Sequence, residues 1–322
     1  MSEGFSIIVP FLNEEETIGK FCVEIDQYAK TVEFPIEVVF VDDGSKDRSV
    51  DIIKKYVFSN IDSAKIVRLS KNFGSHAAIR AGIKNIRYGM CTWFGADLQD
   101  PFEIISIAFD KITNGGVDIV CFGRTSTDVP ALTKLFSGIY SRLIRKYAVE
   151  RYEENGIQTI AYNKKVIDYL NNNVEANSSI GLQILNAGFD METVLMDFKA
   201  REAGKSKWTF SKKVKLAIDS FVSYSFLPIR LVSIVGMMLF IVGVVGCGFT
   251  VVYKLLNPLV PAGYSTLICV LALGFGTTNI SLGIIAEYLW RTLEAARKRP
   301  AFIISDLISC KVREKMKIEM IS

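Results

Sequence analysis

IEVVFVDDGS, Ile36 to Ser45, is an apolar run that ends abruptly in two acids, a glycine and a serine. A short apolar run of this kind reads as a strand buried on both faces, and DDGS reads as the turn that stops it. The pattern recurs on both sides. Upstream, FSIIV at Phe5–Val9 is a second such strand, closed by Pro10 and followed by a helix whose start carries Glu14, Glu15 and Glu16. Acids there favour the positive end of a helix dipole. Downstream come a helix over Ser49–Phe58, a strand over Ala64–Leu69, a helix over Gly74–Ile86 and a strand over Met90–Phe94. Strands alternating with helices predict an α/β domain with a mostly parallel, doubly wound sheet. In such sheets the ligand lies beyond the carboxyl ends of the strands. Three loops meet there: Pro10 to Asn13, Asp42-Asp43, and Asp97-Leu98-Gln99 within FGADLQDP, Phe94 to Pro101.

Further on, the reading is a helix over Pro101–Ile112, a strand over Val117–Phe122 and a basic amphipathic segment over Ala131–Tyr147. Then follow a strand over Gln158–Tyr162, helices over Lys165–Asn171 and Ser179–Ala187, and a strand over Glu192–Asp197. REAGKSKW, Arg201–Trp208, reads as a flexible basic loop. Lys212–Phe226 places its lysines first and its apolar residues later, which suits an interfacial helix. Leu231–Tyr253 and Tyr264–Ala286 each run about 23 residues without a charge, roughly 35 Å of helix against a hydrocarbon core of about 30 Å. Basic residues flank the pair on both outer sides, including Arg230 before and Arg291 and Arg297 after. The expectation is a two-helix transmembrane hairpin with both flanks cytoplasmic. The expected divisions are a catalytic-type domain over 1–210, an interfacial helix over 211–228, two spans over 229–290 and a basic tail over 291–322.

Half of the 322 residues are hydrophobic (50%) and the net charge is only +4, a balance that argues against nucleic acid as a partner. The six cysteines form no CxxC pair and no metal spacing, so they read as reduced thiols. The single histidine, His76, excludes histidine metal clusters and any two-histidine mechanism. Neither GxxxxGK nor GxGxxG occurs. Asp97 and Gln99 are hard oxygen donors two apart on a loop, suited to sharing Mg²⁺ or Mn²⁺ with a diphosphate. Asp42 and Asp43 suit hydrogen bonds from a uracil or ribose, and equally an ordinary turn and helix cap. Arg201, Lys205 and Lys207 suit an anionic headgroup, and equally a generic basic surface.

SIIVPFLNEEETI, VVFVDDGSKDRS, LSKNFGSHAAIRAGI, ADLQDP and REAGKSKW occur in this order. Together they resemble the family 2 inverting glycosyltransferases, and more narrowly the polyprenyl-phosphate type: bactoprenol glucosyltransferases and dolichol-phosphate mannose synthase. The resemblance implies a GT-A domain and a transfer, with inversion, from a nucleotide diphosphate sugar (UDP-linked by resemblance) to undecaprenyl phosphate. It implies use in cell-surface polysaccharide or O-antigen modification, Mg²⁺ or Mn²⁺ as cofactor, and a bacterial inner-membrane, multi-pass location. A homo-oligomer is compatible with the glycine-rich spans.

Carried over by position, Pro10, Phe11, Asn13, Glu14, Asp42 and Asp43 would line the nucleotide pocket. Asp97 and Gln99 would meet the metal, and Arg201, Ser206, Lys207 and Arg230 the acceptor phosphate. Two positions depart from the family pattern. Gly95 stands where the first acid of Asp-x-Asp is usual, and Gln158 where an acceptor-side aspartate is usual; Asp97 and Gln158 are then the catalytic pair. Ser75-His76 stands where a Lys-Glu pair is common. An acceptor phosphate is already ionised at pH 7 and needs no strong general base, so Gln158 is compatible with that chemistry. Two alternatives stay open: a non-catalytic relative that binds nucleotide or a partner subunit, and a transferase with a hydroxyl acceptor.

Overall fold

The computed structural model describes residues 4–125, 142, 145, 157–174, 179–198, 238, 252, 256, 263–297 and 300–313. The chain separates into two compact units, Met1–Ala217 with Pro300–Ser322, and Ile218–Arg299.

In the first unit the elements run β1 (Phe5–Phe11), α1 (Ile18–Ala29), β2 (Ile36–Asp42), α2 (Ser49–Lys55), β3 (Val57–Phe58), β4 (Ser63–Leu69) and α3 (Ser75–Lys84). Next come β5 (Met90–Trp93), α4 (Glu103–Thr113), β6 (Ile119–Arg124), β7 (Thr159–Asn163), α5 (Lys164–Asn172), α6 (Ile180–Asn186) and β8 (Met191–Met196). After α7 of the second unit (Tyr264–Arg297), β9 (Ile304–Ser309) and β10 (Lys311–Val312) complete the first. The main sheet has the order β8-β6-β7-β5-β1-β2-β4-β9. β1 pairs in parallel with β2 and β5, β2 with β4, and β6 with β8. β7 runs antiparallel between β5 and β6, and β9 runs antiparallel on β4. The expected α/β domain of GT-A-like, mostly parallel kind is therefore present, with a mixed sheet.

β1 and β2 lie at the centre, which is why their side chains are apolar on both faces. Phe5, Ile7, Val9, Val38 and Phe40 join Phe21, Ile25 and Ile104 in one buried cluster. On the opposite face α3 packs so closely on β1 that a Cβ at Gly82 would stand 2.3 Å from Ile8 Cγ2. Below the sheet's middle, the fully buried Glu37 takes bonds from Ser6 Oγ (2.7 Å) and the Arg87 amide (2.6 Å), and pairs with Lys65 Nζ at 2.9 Å.

Two expectations are corrected. The transmembrane hairpin is not supported, because no helix among the described residues is long and apolar enough to cross a membrane. The second expected span falls within α7, which continues through charged residues to Arg297 over 34 residues. Within it two hydroxyls bond back to the helix, Thr278 Oγ1 to the Gly274 carbonyl and Ser281 Oγ to that of Thr277, each at 2.9 Å. Residues 231–253 lie outside the described residues apart from Met238 and Val252, and the interfacial helix expected over 211–228 lies outside them entirely. The multi-pass, inner-membrane location rested on the hairpin and is withdrawn with it. The last segment also differs from a plain basic tail, since Ile304–Ser309 is a strand of the main sheet.

Candidate functional site

The carboxyl ends of β1, β2, β4 and β5 share one edge of the sheet, and the register aligns Phe11 with Asp42 and Asp42 with Arg68. β7 is antiparallel, so its beginning, not its end, falls on that same edge. Gln158 just precedes it, donating its backbone N–H to the Phe122 carbonyl at 2.9 Å. Thr159 Oγ1 then donates to the Trp93 carbonyl at 2.8 Å, which ties the start of β7 to the end of β5. The topology thus brings Asp42, Asp97, Gln99 and Gln158 to a common edge.

The loop after β1 is stitched to the loop after β2. Asn13, in the left-handed region at φ 51°, donates its N–H to Ser45 Oγ and accepts from the Lys46 amide through Oδ1. Asparagine tolerates that conformation better than most side chains. The Glu14 and Glu15 amides donate to Ser49 Oγ and Asp47 Oδ2. Pro10 is partly exposed at the end of β1, whereas Phe11 is buried in the core, leaving its backbone as what it offers at the edge. The Phe11 carbonyl accepts from the Asp43 amide at 3.0 Å.

The two acids of the β2 turn do different work. Asp42 is fully buried; Oδ1 accepts from the Ser45 amide at 2.7 Å and Oδ2 faces Arg68 Nε at 3.1 Å. Asp43 turns the other way and accepts from the Phe73 and Gly74 amides at 2.7 and 2.9 Å, pinning the loop before α3. Burial raises the Asp43 carboxyl above its ordinary range, and those two amide bonds offset part of the rise. Gly44 has φ 82° and no room for a Cβ, which would meet the Lys71–Asn72 backbone at 2.9 Å.

After β5 the chain turns through Gly95, Ala96 and Asp97. Leu98 is buried yet has φ 59°, a strained setting for a leucine of about 1–3 kcal/mol. Such strain is held by its surroundings, and here it sits between the two expected metal donors. Asp97 is nearly buried and Gln99 is half-exposed. The Gly95 amide donates to Asp100 Oδ2 at 2.9 Å. Desolvation pushes the Asp100 carboxyl up to about 7; the Gly95 N–H and the nearby Arg124 pull it down, and the charge of Asp97 adds to the rise. Among the described residues no group of three or more His, Cys, Asp or Glu is arranged to hold a metal ion.

Arg201, Ser206, Lys207 and Arg230, expected at the acceptor phosphate, lie outside the described residues. Two residues of this edge were missed in the sequence reading. Asp100 lies inside FGADLQDP, one residue beyond Gln99, and its place in the loop is the signal that marks it. Arg68 is the penultimate residue of a strand that ends on the ligand edge, a signal that was available.

The chain is similar to several known proteins. CsbB of Bacillus subtilis, named as a glycosyltransferase, is 30% identical over 309 residues, covering 95% of this chain and 93% of its own. The undecaprenyl-phosphate 4-deoxy-4-formamido-L-arabinose transferase of Pseudomonas savastanoi pv. phaseolicola is 27% identical over 305 residues, covering 94% and 90%. The structure of glucosyl-3-phosphoglycerate synthase from Mycobacterium tuberculosis, solved with Mn²⁺, UDP and glucosyl-3-phosphoglycerate, aligns over 68% of this chain and 79% of its own, at 13% identity and TM-score 0.48. The model of glycosyl transferase family 2 matches residues 6–167, half of the chain, and with the 30%-identical relative it shows that this chain belongs to that family and is a glycosyltransferase.

Proposed function

We propose that this glycosyltransferase moves a sugar from a UDP-linked donor to undecaprenyl phosphate, with inversion at the anomeric carbon. The observation that carries the reading is the meeting of Asp42, Asp97, Gln99 and Gln158 on the carboxyl edge of the sheet, in a chain whose full-length relatives include undecaprenyl-phosphate sugar transferases. Asp42, desolvated and oriented by its neighbours, receives hydrogen bonds from the base or ribose, with the Pro10–Glu14 loop beside it. The acceptor phosphate is already an anion, and one of its oxygens attacks the anomeric carbon as the bond to the diphosphate oxygen breaks. Gln158 orients the acceptor or a sugar hydroxyl, and Arg201, Ser206, Lys207 and Arg230 supply the acceptor-phosphate contacts.

A divalent cation, Mg²⁺ or Mn²⁺, fits this donor set in part. Asp97 and Gln99 offer hard oxygens across the strained Leu98, and one carboxylate with one amide leaves the remaining positions to diphosphate oxygens and water. Bound there, the ion would neutralise charge developing on the leaving diphosphate.

The test is a lipid-extraction assay with purified protein, undecaprenyl phosphate, a panel of radiolabelled nucleotide sugars and Mg²⁺ or Mn²⁺. Acid-labile label from one UDP-sugar in the organic phase is the expected result. Label only from another nucleotide, or transfer only to a hydroxyl acceptor, overturns the assignment.

A further inference from the structure

We infer that Arg68, braced by the C-terminal strand, is a positioning residue for donor binding, so that residues 303–309 belong functionally to the nucleotide pocket. This rests on the reading of Asp42 as a nucleotide-contacting acid.

Three strands place Asp42, Arg68 and Asp306 in one row. Asp42 of β2 is the register partner of Arg68 of β4, and Arg68 is the partner of Asp306 of β9. Side chains at partnered positions share a face of the sheet, and the guanidinium on this face pairs with Asp42. Arg68 Nε stands 3.1 Å from Asp42 Oδ2, while Oδ1 of the same carboxylate takes the Ser45 amide at 2.7 Å. Both oxygens are thereby aimed. The carboxylate is fully buried, whereas the Arg68 side chain is 42% exposed and has room to move unless something holds it.

β9 supplies that hold. Ser305 Oγ donates to the Arg68 carbonyl at 3.2 Å, and the Ser70 amide donates to the Ile303 carbonyl at 2.9 Å. Between these two contacts the pairing slips by a bulge at Arg68/Leu69. Bulges re-aim side chains at the edges of sites. Without β9, β4 would be a bare edge strand, and Arg68 would lose its backbone restraint. A segment over 230 residues away in sequence thus fixes the acid that the donor meets.

The experiment measures UDP affinity by calorimetry, and donor KM and kcat, on the full-length chain. Arg68→Gln is expected to weaken UDP about tenfold and raise donor KM with kcat unchanged, the loss of one charge-assisted contact. Arg68→Lys restores part of the affinity, because the charge returns without the planar fork. Asp306→Pro, which breaks the pairing opposite Arg68, shifts affinity in the same direction while far-UV dichroism shows the domain folded. Asp42→Asn is the reference. If Asp42→Asn weakens UDP but Arg68→Gln and Asp306→Pro bind it like the unmodified chain, the inference is overturned and the nucleotide reading stands. If Asp42→Asn itself binds UDP normally, the reading fails and the inference with it.

Discussion

A Cβ placed on Gly95 would stand 2.6 Å from Oδ1 of Asp97 and 3.8 Å from Oδ2 of Asp100. The space that a side chain at position 95 would fill is therefore bounded by two carboxylates. Gly95 is not a vacancy awaiting an acid; its bare backbone is what lets Asp97 fold close against the loop. Gly95→Asp should then lower turnover, although it creates an Asp-x-Asp spacing with Asp97. The new side chain must displace Asp97 and adds a third carboxyl to the loop. A displacement of the order of 1 Å at a reacting centre costs up to about 100-fold in rate. Steady-state kinetics together with Mn²⁺ titration check this, and a gain of activity with tighter Mn²⁺ binding would refute it.

The central strands were legible because their chemistry is one-sided. Phe5–Phe11 and Ile36–Asp42 are apolar on both faces, and the acids at their ends mark the ligand edge. What was not legible depends on contacts between distant segments. Nothing local in Thr159–Asn163 says that it runs antiparallel, yet that direction is what brings Gln158 to the site. Phe11 read as a pocket residue from its place in the loop motif, while the packing around α1 draws its ring into the core. Ile304–Ser309 was hidden by its charged surroundings; only the unpaired edge of β4 gives it a role. Of the two uncharged runs read as a hairpin, the second lies in a helix that continues through Glu287, Arg291 and Glu294 to Arg297, and an uncharged window by itself does not mark where such a helix ends.

His76 gives a pH signature. Both its ring nitrogens are buried without a hydrogen-bond partner. Burial, and then the charge of Arg80 one turn on, lower it to about 4 from 6.5. The folded state thus holds the ring neutral while the unfolded chain protonates it near 6.5. The resulting stability is present above that value and is lost as pH falls from 6.5 through 4. The shift corresponds to roughly 3 kcal/mol at full effect. The difference in melting temperature between the unmodified chain and His76→Leu should change steadily between pH 7 and 4, with the variant the less acid-sensitive. Parallel curves across that range would contradict the assignment.

Gly82→Ala tests the packing of α3 on β1. The added methyl would meet Ile8 Cγ2 at 2.3 Å and Val41 Cγ2 at 3.2 Å, both in the buried centre of the sheet. Alanine ordinarily favours a helix over glycine by up to about 1 kcal/mol. Overpacking of this kind costs about 1–3 kcal/mol, so a net loss is expected. Urea denaturation with an unchanged m-value would register it. A more stable variant would mean that α3 can lift from the sheet without penalty.

Lys65 and Glu37 provide the contrast between stability and catalysis. Glu37 is fully buried near the start of β2, away from the ligand edge, and Lys65 Nζ supplies its countercharge at 2.9 Å. Lys65→Met leaves a carboxylate in the interior with only the Ser6 hydroxyl and the Arg87 amide for support. Breaking such a pair costs about 3–5 kcal/mol. Glu37→Gln should cost less, since the amide oxygen keeps at least one of those bonds and no charge is left buried. The double variant Lys65→Met, Glu37→Gln should recover part of the Lys65→Met loss, giving a coupling energy measurable by a double-mutant cycle. Donor KM should be the same in all three wherever the protein remains folded. Additive losses, or a donor KM that moves with the pair, would show that the amino end of the sheet is not independent of the site at its other end.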